Sequence, residues 1–141
     1  MAIVVPNASK IVLLKYILNV IAQDGGTAPV GGERLLKLFT NNVSPDEDTV
    51  IGDLTEATDS NDAALTLAGA GWTIAVASNV CTAEYATQSF TFDDPATLYG
   101  YYITSDEGTP KLLYVERFED GPYSVLEDGE VGITPKITLD Y

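Results

Sequence analysis

The sequence predicts a mainly β fold, an antiparallel β-sandwich of jelly-roll type preceded by an N-terminal α-helix. A long apolar run near the start is closed by a glycine-rich stretch, which predicts the helix. From residue 33 onward, short segments rich in β-branched and aromatic residues alternate with turn residues, which predicts the sandwich. The 141 residues, 45% of them apolar, suit one core. We therefore divide the chain into a docking arm, residues 1–32, and a β-sandwich body, residues 33–141.

The predicted helix covers the run IVLLKYILNVIAQ, residues 11–23. Asn7 or Ser9 can cap its start, and the pair Gly25-Gly26 ends it. Apolar side chains cover nearly its whole circumference, so it should be buried on more than one side. Two interpretations stay open: a core helix packed on a sheet, or an arm that docks on another subunit. For the arm, the predicted contact residues are Ile11, Leu14, Leu18 and Ile21, with Lys10 and Lys15 making charge contacts.

The segment GGTAPVGG, residues 25–32, has the composition of a flexible connector. A phosphate-binding loop needs a Lys-Ser or Lys-Thr pair after its glycines, and neither follows here. The sequence after the connector is strand-like instead. We therefore interpret the segment as a link between the helix and the body.

The body is predicted to contain many short strands separated by turn signals such as Asn41-Asn42, Glu107-Gly108 and Asp128-Gly129. Regular short spacing of this kind is typical of antiparallel sandwiches and barrels. The predicted strand segments are ERLLKLFT, LTEAT, AALTLA, GWTIAVAS, NVCTAEY, QSFTFDD, TLYGYYITS, PKLLYVERF, PYSVL and EVGITPKITLD.

The tyrosine-rich segment from Leu98 to Phe118 is predicted to be a β-hairpin around the turn SDEGTP. Alternation places Tyr99, Tyr101 and Ile103 on one face of its first leg, and Leu98, Gly100, Tyr102 and Thr104 on the other. On the second leg it places Leu112, Tyr114, Glu116 and Phe118 on one face. Ring packing within a sheet is favoured, and a ligand-binding platform is the alternative. Gly100 is predicted to mark a bulge or a close backbone approach.

The chain carries 21 acidic and 7 basic residues, a net charge of −14. Residues 1–40 hold four bases and two acids, whereas residues 41–141 hold three bases and 19 acids. Proteins that bind nucleic acid or anionic membranes use basic patches, so the composition argues against both kinds of partner. We interpret the acidic body as solvent-facing and the front of the chain as the part that contacts a partner.

The start of the chain lacks the basic region and cleavage site of a signal peptide, and the apolar run 11–22 is too short to span a membrane. The single cysteine, Cys81, excludes an internal disulfide. We expect a buried thiol, because no basic neighbour is at hand to lower its pKa.

The absence of histidine removes the common nucleophile systems and most zinc sites, so the sequence predicts no enzyme and no cofactor. A carboxylate pair of the glycosidase kind is the last alternative. The acidic turn SPDEDT, residues 44–49, offers Asp46, Glu47 and Asp48 as oxygen ligands, but its spacing differs from a calcium-binding EF-hand. We interpret it as a solvated turn.

Several segments form a familiar pattern: LKLFTNN, LYGYYIT and ITPKITL, together with GWTIAV and the segment from QSFTFDD to GPYSV. With this pattern, residues 35 to 139 resemble small structural proteins of tailed bacteriophages. These segments are scaffold pieces rather than a catalytic signature. The resemblance implies a capsid decoration, or cement, protein with a jelly-roll or related β-sandwich fold, assembled in the host cytoplasm and bound to the outer surface of the head.

The resemblance further implies as partners the major capsid protein and copies of the chain itself, as a homotrimer or a dimer, with no nucleic acid and no membrane. An acidic body suits the outer surface of a head whose interior is filled with phosphate. The alternative function is a tail or fibre-associated module that recognises a host glycan or another tail protein through tyrosines such as Tyr101.

Overall fold

The computed structural model describes residues 11, 13–14, 17–18, 33–58, 64–106 and 108–140. This part of the chain is mainly β, with two single-turn 3-10 helices, Ile51–Asp53 and Gly69–Gly71. Its strands are β1 (Arg34–Phe39), β2 (Leu65–Leu67), β3 (Thr73–Ala77), β4 (Val80–Glu84), β5 (Gln88–Thr91), β6 (Ala96–Leu98), β7 (Gly100–Ser105), β8 (Leu112–Arg117), β9 (Tyr123–Val125), β10 (Glu130–Ile133) and β11 (Lys136–Asp140).

One long, interrupted antiparallel ribbon organises the body. The chain from β4 to β7 runs against the chain from β8 to β11, so that β4 pairs with β11, β5 with β10, β6 with β9 and β7 with β8. Besides a shift within the β7–β8 pair, the register is interrupted at two points between strand pairs, one near residues 85–87 and one at residues 119–122, which have no opposite residues on the first leg. These interruptions split two predicted strands, TLYGYYITS and EVGITPKITLD, into two strands each.

Two outer additions widen this ribbon into sheets. β1 pairs with β7 and β2 with β1, giving a four-stranded sheet in the order β2-β1-β7-β8. β3 pairs with β4 and completes a three-stranded sheet in the order β11-β4-β3. The β3–β4 hairpin turns at Ser78 and Asn79, whose φ angles of 49° and 66° are those of a tight type I′ turn. Every pairing is antiparallel, and none of the described sheets is closed.

Both sheets contribute to one apolar core. Leu36 and Ile103 come from the four-stranded sheet, Cys81 and Ile137 from the three-stranded sheet, and all four are buried in the same cluster. The expectation of a buried Cys81 thiol is therefore confirmed. Trp72 joins this cluster and packs edge-on against Tyr85, with ring centroids 5.2 Å apart.

A second, smaller apolar cluster lies on the other face of the four-stranded sheet, where Phe39, Leu54 and Tyr102 are buried together. The segment after β1 covers this face, held by the Asn41 side chain, which donates to the Asp53 carbonyl and accepts from the Thr55 N–H. The predicted strand LTEAT forms only an isolated bridge in this segment, between Phe39 and Glu56. Burial on both faces explains why every residue of β7 is buried.

The predicted faces of the tyrosine hairpin were partly wrong. Leu98 packs in the main core with Tyr101, whereas Tyr99 packs with Tyr102 in the second cluster. The alternation fails there because Tyr99 lies between β6 and β7 and belongs to neither strand. Leu112 likewise lies in the second cluster, away from Tyr114, because the β7–β8 register shifts between Ile103 and Thr104.

The prediction of a close backbone approach at Gly100 is confirmed. A Cβ atom at this position would overlap the backbone oxygen of Glu116 and would come within 2.5 Å of the Phe39 ring. Only glycine lets β7 and β8 pair at their normal distance while the Phe39 ring lies over the same spot.

The predicted N-terminal helix and its connector fall mostly outside the described residues. Ile11, Leu13, Leu14 and Ile17 are helical, and the Leu18 N–H donates to the Leu14 carbonyl over 2.9 Å. The Arg34 guanidinium on β1 donates from Nε to the Ile17 carbonyl at 2.6 Å. These residues are therefore tied to the body by a buried polar contact.

Candidate docking groove

A surface concavity of about 700 Å³ lies beside β10. Its floor and walls come from β7, the 118–126 segment and β10. The residues that line it are Tyr101, Phe118, Tyr123, Ser124, Val125, Leu126, Gly129, Glu130, Val131, Gly132, Ile133 and Thr134. We call this feature the β10 groove.

One wall of the β10 groove is the edge of a strand. The lining residues 129–134 are consecutive, and β10 pairs on its other side with β5 alone. The Phe92 N–H donates to the Gly129 carbonyl, so Gly129 and Phe92 are a hydrogen-bonded pair. In an antiparallel ladder, hydrogen-bonded and non-hydrogen-bonded pairs alternate along each strand. Val131 and Ile133 thus direct their backbone groups at β5, and Glu130 and Gly132 direct theirs away from it. Within the described residues, no strand pairs with this edge.

A row of aromatic rings leads into the groove. The ring centroids of Tyr114 and Tyr101 are 6.0 Å apart, those of Tyr101 and Phe118 are 6.4 Å apart, and those of Phe118 and Tyr123 are 5.2 Å apart. Along this row exposure rises from Tyr101, which is 4% exposed, to Tyr123, which is 45% exposed. Tyr101 therefore supports the sheet, Tyr114 and Phe118 are half-buried, and Tyr123 is the ring most open to a partner.

Exposed apolar side chains concentrate at the same place. Four large apolar side chains are exposed in the described part of the chain, at Leu13, Val50, Tyr123 and Leu126. Tyr123 and Leu126 both line the β10 groove, and Leu126 is 76% exposed although it lies next to an acidic turn. Adjacent exposed apolar residues beside a concavity are typical of interaction sites.

The groove is set in strongly acidic sequence. Residues 118–135 contain Glu119, Asp120, Glu127, Asp128 and Glu130, and no lysine or arginine. Glu130 itself lines the groove. Two bases flank this segment: Lys136 has its Nζ 3.9 Å from a carboxylate oxygen of Glu84, and Arg117 donates to the Val43 carbonyl at 2.7 Å. A partner that brings positive charge next to apolar side chains therefore fits this surface best.

Beneath the groove, the carboxylate of Glu116 accepts hydrogen bonds from two tyrosines, the Tyr101 hydroxyl at 2.7 Å and the Tyr114 hydroxyl at 3.0 Å. Burial, followed by the hydrogen bond to Glu116, holds the pKa of Tyr101 well above its ordinary value. Burial, with the negative charge of Glu116 and its hydrogen bond, raises the pKa of Tyr114 to about 12. Both effects favour the neutral hydroxyl as donor. This arrangement is structural, because it fixes β7 against β8 at the base of the groove.

The raised tyrosine pKa values predict a loss of stability in alkali. A pKa near 12 in the folded chain, against an ordinary value of 10.0, means that the unfolded state releases its proton first. The contribution of Tyr114 is complete below pH 10 and is lost as the pH rises from 10 to 12. We expect the urea midpoint to fall over this range, and to fall less steeply in Tyr114→Phe. At pH 7, the urea midpoint of the same variant measures the loss of the hydroxyl alone. If the midpoints of the unsubstituted chain and of Tyr114→Phe fall equally steeply above pH 10, the prediction is wrong.

The predicted arm residues are only partly described. Leu14 and Leu18 are fully buried in the main core, and Ile11 packs against it partly buried. Lys10, Lys15 and Ile21 lie outside the described residues. The docking role of these six residues stays a prediction, because the structure holds one chain without a partner.

The sequence analysis did not single out the residues of the β10 groove. A signal was present in the pair Tyr123 and Leu126, which are large apolar residues between two acidic turn sequences, Glu119-Asp120 and Glu127-Asp128. The edge of β10 had no signal, because strand order depends on long-range pairing.

The acidic turn at residues 44–49 is closed by its own side chains. The Asp46 carboxylate accepts from the Asp48 N–H at 3.1 Å and from the Thr49 hydroxyl at 3.0 Å. Across the described ranges, no three Asp, Glu or Cys side chains come together as a metal site. A search of the same residues finds no helix with the length and apolar character needed to cross a membrane.

Comparisons with known proteins give no match. No protein-family model matches the chain, and neither a curated protein nor a solved structure is significantly similar to it.

Proposed function

We propose that this chain is a non-enzymatic structural protein of a tailed-bacteriophage virion, which binds the outer surface of the head and stabilises the shell. The observation that carries the proposal is the β10 groove, where exposed apolar side chains border a strand edge that no other described strand pairs with, on an acidic body. Such a surface suits a protein partner. The resemblance of residues 35–139 to phage structural proteins supports a capsid protein as that partner.

The proposal includes a finer description of the fold. We propose that the four-stranded and three-stranded sheets pack face to face as a jelly-roll-like sandwich, with an N-terminal helix at one border. The support is that residues of both sheets share one core cluster, which also contains Leu14 and Leu18. Two antiparallel sheets with a common core are the usual form of a sandwich.

The mechanism of stabilisation is mass action. A protein that binds only the assembled shell lowers the free energy of that state by its own binding free energy. The partners are the major capsid protein and other copies of this chain, and residues 1–32 supply part of the contact. The strong negative charge keeps the body in solvent and away from packaged nucleic acid.

The test mixes the full chain with empty heads built from the major capsid protein of the virus that carries it. We expect the chain to sediment with the heads and to raise the temperature at which they break open. We expect residues 33–141 alone to stay in the supernatant. Heads that neither retain the full chain nor gain thermal stability would overturn the proposed function, and normal binding by residues 33–141 would overturn the role of the arm.

A second candidate function, recognition of a neutral glycan by a tail or fibre module, is favoured by the aromatic row. Sugars stack on exposed rings and donate hydroxyl groups to carboxylates, and Tyr123 and Glu130 offer both in the groove. Tyr101 is 4% exposed, so its replacement by alanine reports on folding rather than on binding. Tyr123→Ala is the sharper test: loss of binding to immobilised glycans by a folded variant would favour this function over head decoration.

A further inference from the structure

We propose that the β10 groove binds an extended segment of the capsid protein as an added β-strand, and that this segment alternates aliphatic residues with lysine or arginine. The inference deepens the proposed function and rests on it for the class of the partner. The chemistry of the segment follows from the groove itself, and its test uses no heads.

The backbone of β10 offers the hydrogen-bonding groups that an added strand needs. Val131 and Ile133 direct their backbone groups at β5, so Glu130 and Gly132 direct their N–H and C=O groups away from it. Both of these outward-facing residues are exposed, and no described strand pairs with this side of β10. An extended polypeptide matches such a row of donors and acceptors, whereas a helix has already bonded its own backbone groups.

One face of β10 determines which apolar side chains the added strand must carry. Ile133 is buried and Val131 is half-buried against the main core, so the face that they share is apolar. On this face the groove of about 700 Å³ is also lined by Tyr123 and Leu126, which are exposed. Because side chains alternate between the two faces of a strand, we infer aliphatic residues at every second position of the partner segment.

The other face determines the intervening residues. Glu130 is exposed on this face, and the residue opposite it on an added strand lies within reach of its carboxylate. Residues 118–135 contain no base, and their five acids are all exposed: Glu119, Asp120, Glu127, Asp128 and Glu130. Lysine or arginine at the intervening positions therefore complements the charge around the groove.

The same charge argues against another copy of this body as the occupant. Residues 41–141 hold 19 acids and three bases, so two bodies that meet at the groove repel each other. A neutral glycan can contact Tyr123 and Glu130, but it has no regular row of amide groups to match the edge of β10. A basic, partly aliphatic polypeptide satisfies the backbone edge, the apolar face and the charge together.

The test measures the binding of three fluorescein-labelled peptides to the full chain by fluorescence anisotropy. The basic peptide is Thr-Val-Thr-Val-Lys-Val-Lys, which places its valines on one face of a strand. The acidic peptide has glutamate in place of lysine. The scrambled peptide, Val-Val-Val-Thr-Thr-Lys-Lys, keeps the composition and loses the alternation. We expect the basic peptide to bind at least about tenfold more tightly than either of the others, and less tightly as salt is added.

Substitutions in the chain locate the bound peptide. Leu126→Ser removes an apolar side chain that is 76% exposed in the groove and leaves the net charge unchanged, so we expect it to weaken binding of the basic peptide. The matched control is Val50→Ser, at an apolar side chain that is 57% exposed outside the groove, and its affinity should equal that of the unsubstituted chain. Glu130→Gln should reduce the preference for the basic over the acidic peptide.

Amide hydrogen exchange distinguishes strand addition from other ways of binding. With the basic peptide bound, we expect the N–H groups of Glu130 and Gly132 to exchange at least about tenfold more slowly than in the free chain. The N–H groups of Val131 and Ile133 already point at β5, so their exchange should change little.

Three results would overturn the inference. The first is that the basic peptide binds no more tightly than the acidic or the scrambled one, or binds Leu126→Ser as well as the unsubstituted chain. The second is binding that leaves the exchange of Glu130 and Gly132 unchanged. The third is binding of immobilised neutral glycans, lost in Tyr123→Ala, by a chain that binds no peptide, which would assign the groove to sugars. Because no heads are used, each of these results is distinct from failure of the sedimentation test.

Discussion

Leu18→Ala is expected to destabilise the chain by about 2–5 kcal/mol, the usual cost of removing a fully buried leucine side chain. Leu18 is 0% exposed and lies in the cluster that also contains Leu36, Trp72 and Phe90. The truncation leaves a cavity that surrounding β-strands cannot fill, because their backbones are fixed by ladder hydrogen bonds. Urea unfolding followed by the fluorescence of Trp72, the only tryptophan, measures the change.

Leu13→Ala is the matched control for Leu18→Ala. Leu13 is 48% exposed, so its truncation is expected to change the free energy of unfolding by less than about 0.5 kcal/mol. The pair separates the two interpretations of the N-terminal run. If Leu18→Ala unfolds like the wild type but no longer binds another subunit, the run is a docking arm rather than part of the core.

Strand positions could largely be predicted from the sequence, because alternation and turn residues are local signals. Asp128-Gly129 lies in a turn as expected, and the segments around Leu36, Cys81 and Ile103 form strands. Ser78 and Asn79, which were assigned to the ends of two predicted strands, form the turn between β3 and β4 instead. The errors arose where a strand is interrupted. Tyr99 was assigned to the wrong face because nothing in TLYGYYITS marks the break between β6 and β7. Tyr99 lies at this break, where its N–H donates to the Phe39 carbonyl.

The candidate site could not be predicted in the same way. Tyr101 and Glu116 are 15 residues apart, and their hydrogen bond follows from the hairpin that the sequence does predict. β10, in contrast, pairs with β5 alone among the described strands, and the chain then continues into β11, which pairs with β4. Such an outcome depends on the whole topology. Local composition indicated only that the surrounding segment is acidic.

Gly100→Ala is expected to destabilise the chain by about 3 kcal/mol, at the upper end of the usual cost of overpacking. The added Cβ overlaps the backbone oxygen of Glu116, which belongs to the paired strand β8. A backbone atom cannot move aside by a change of side-chain rotamer. It also meets the Phe39 ring at 2.5 Å, and this ring is fully buried in the second cluster. Relief therefore requires β7 and β8 to separate at one end, where the Tyr101 hydroxyl reaches Glu116.

Gly52→Ala is the matched control for Gly100→Ala, because a Cβ at Gly52 meets no atom within 4 Å. Both substitutions reduce the entropy of the unfolded chain equally, so the difference between their urea midpoints isolates the overlap at Gly100. Equal midpoints would mean that β8 can move away from β7 at little cost. The strands next to the β10 groove could then shift easily, since Tyr101 and Glu116 belong to the same strand pair, β7 and β8. A large difference would show that the groove stands on a rigid sheet, as a surface that binds a preformed partner requires.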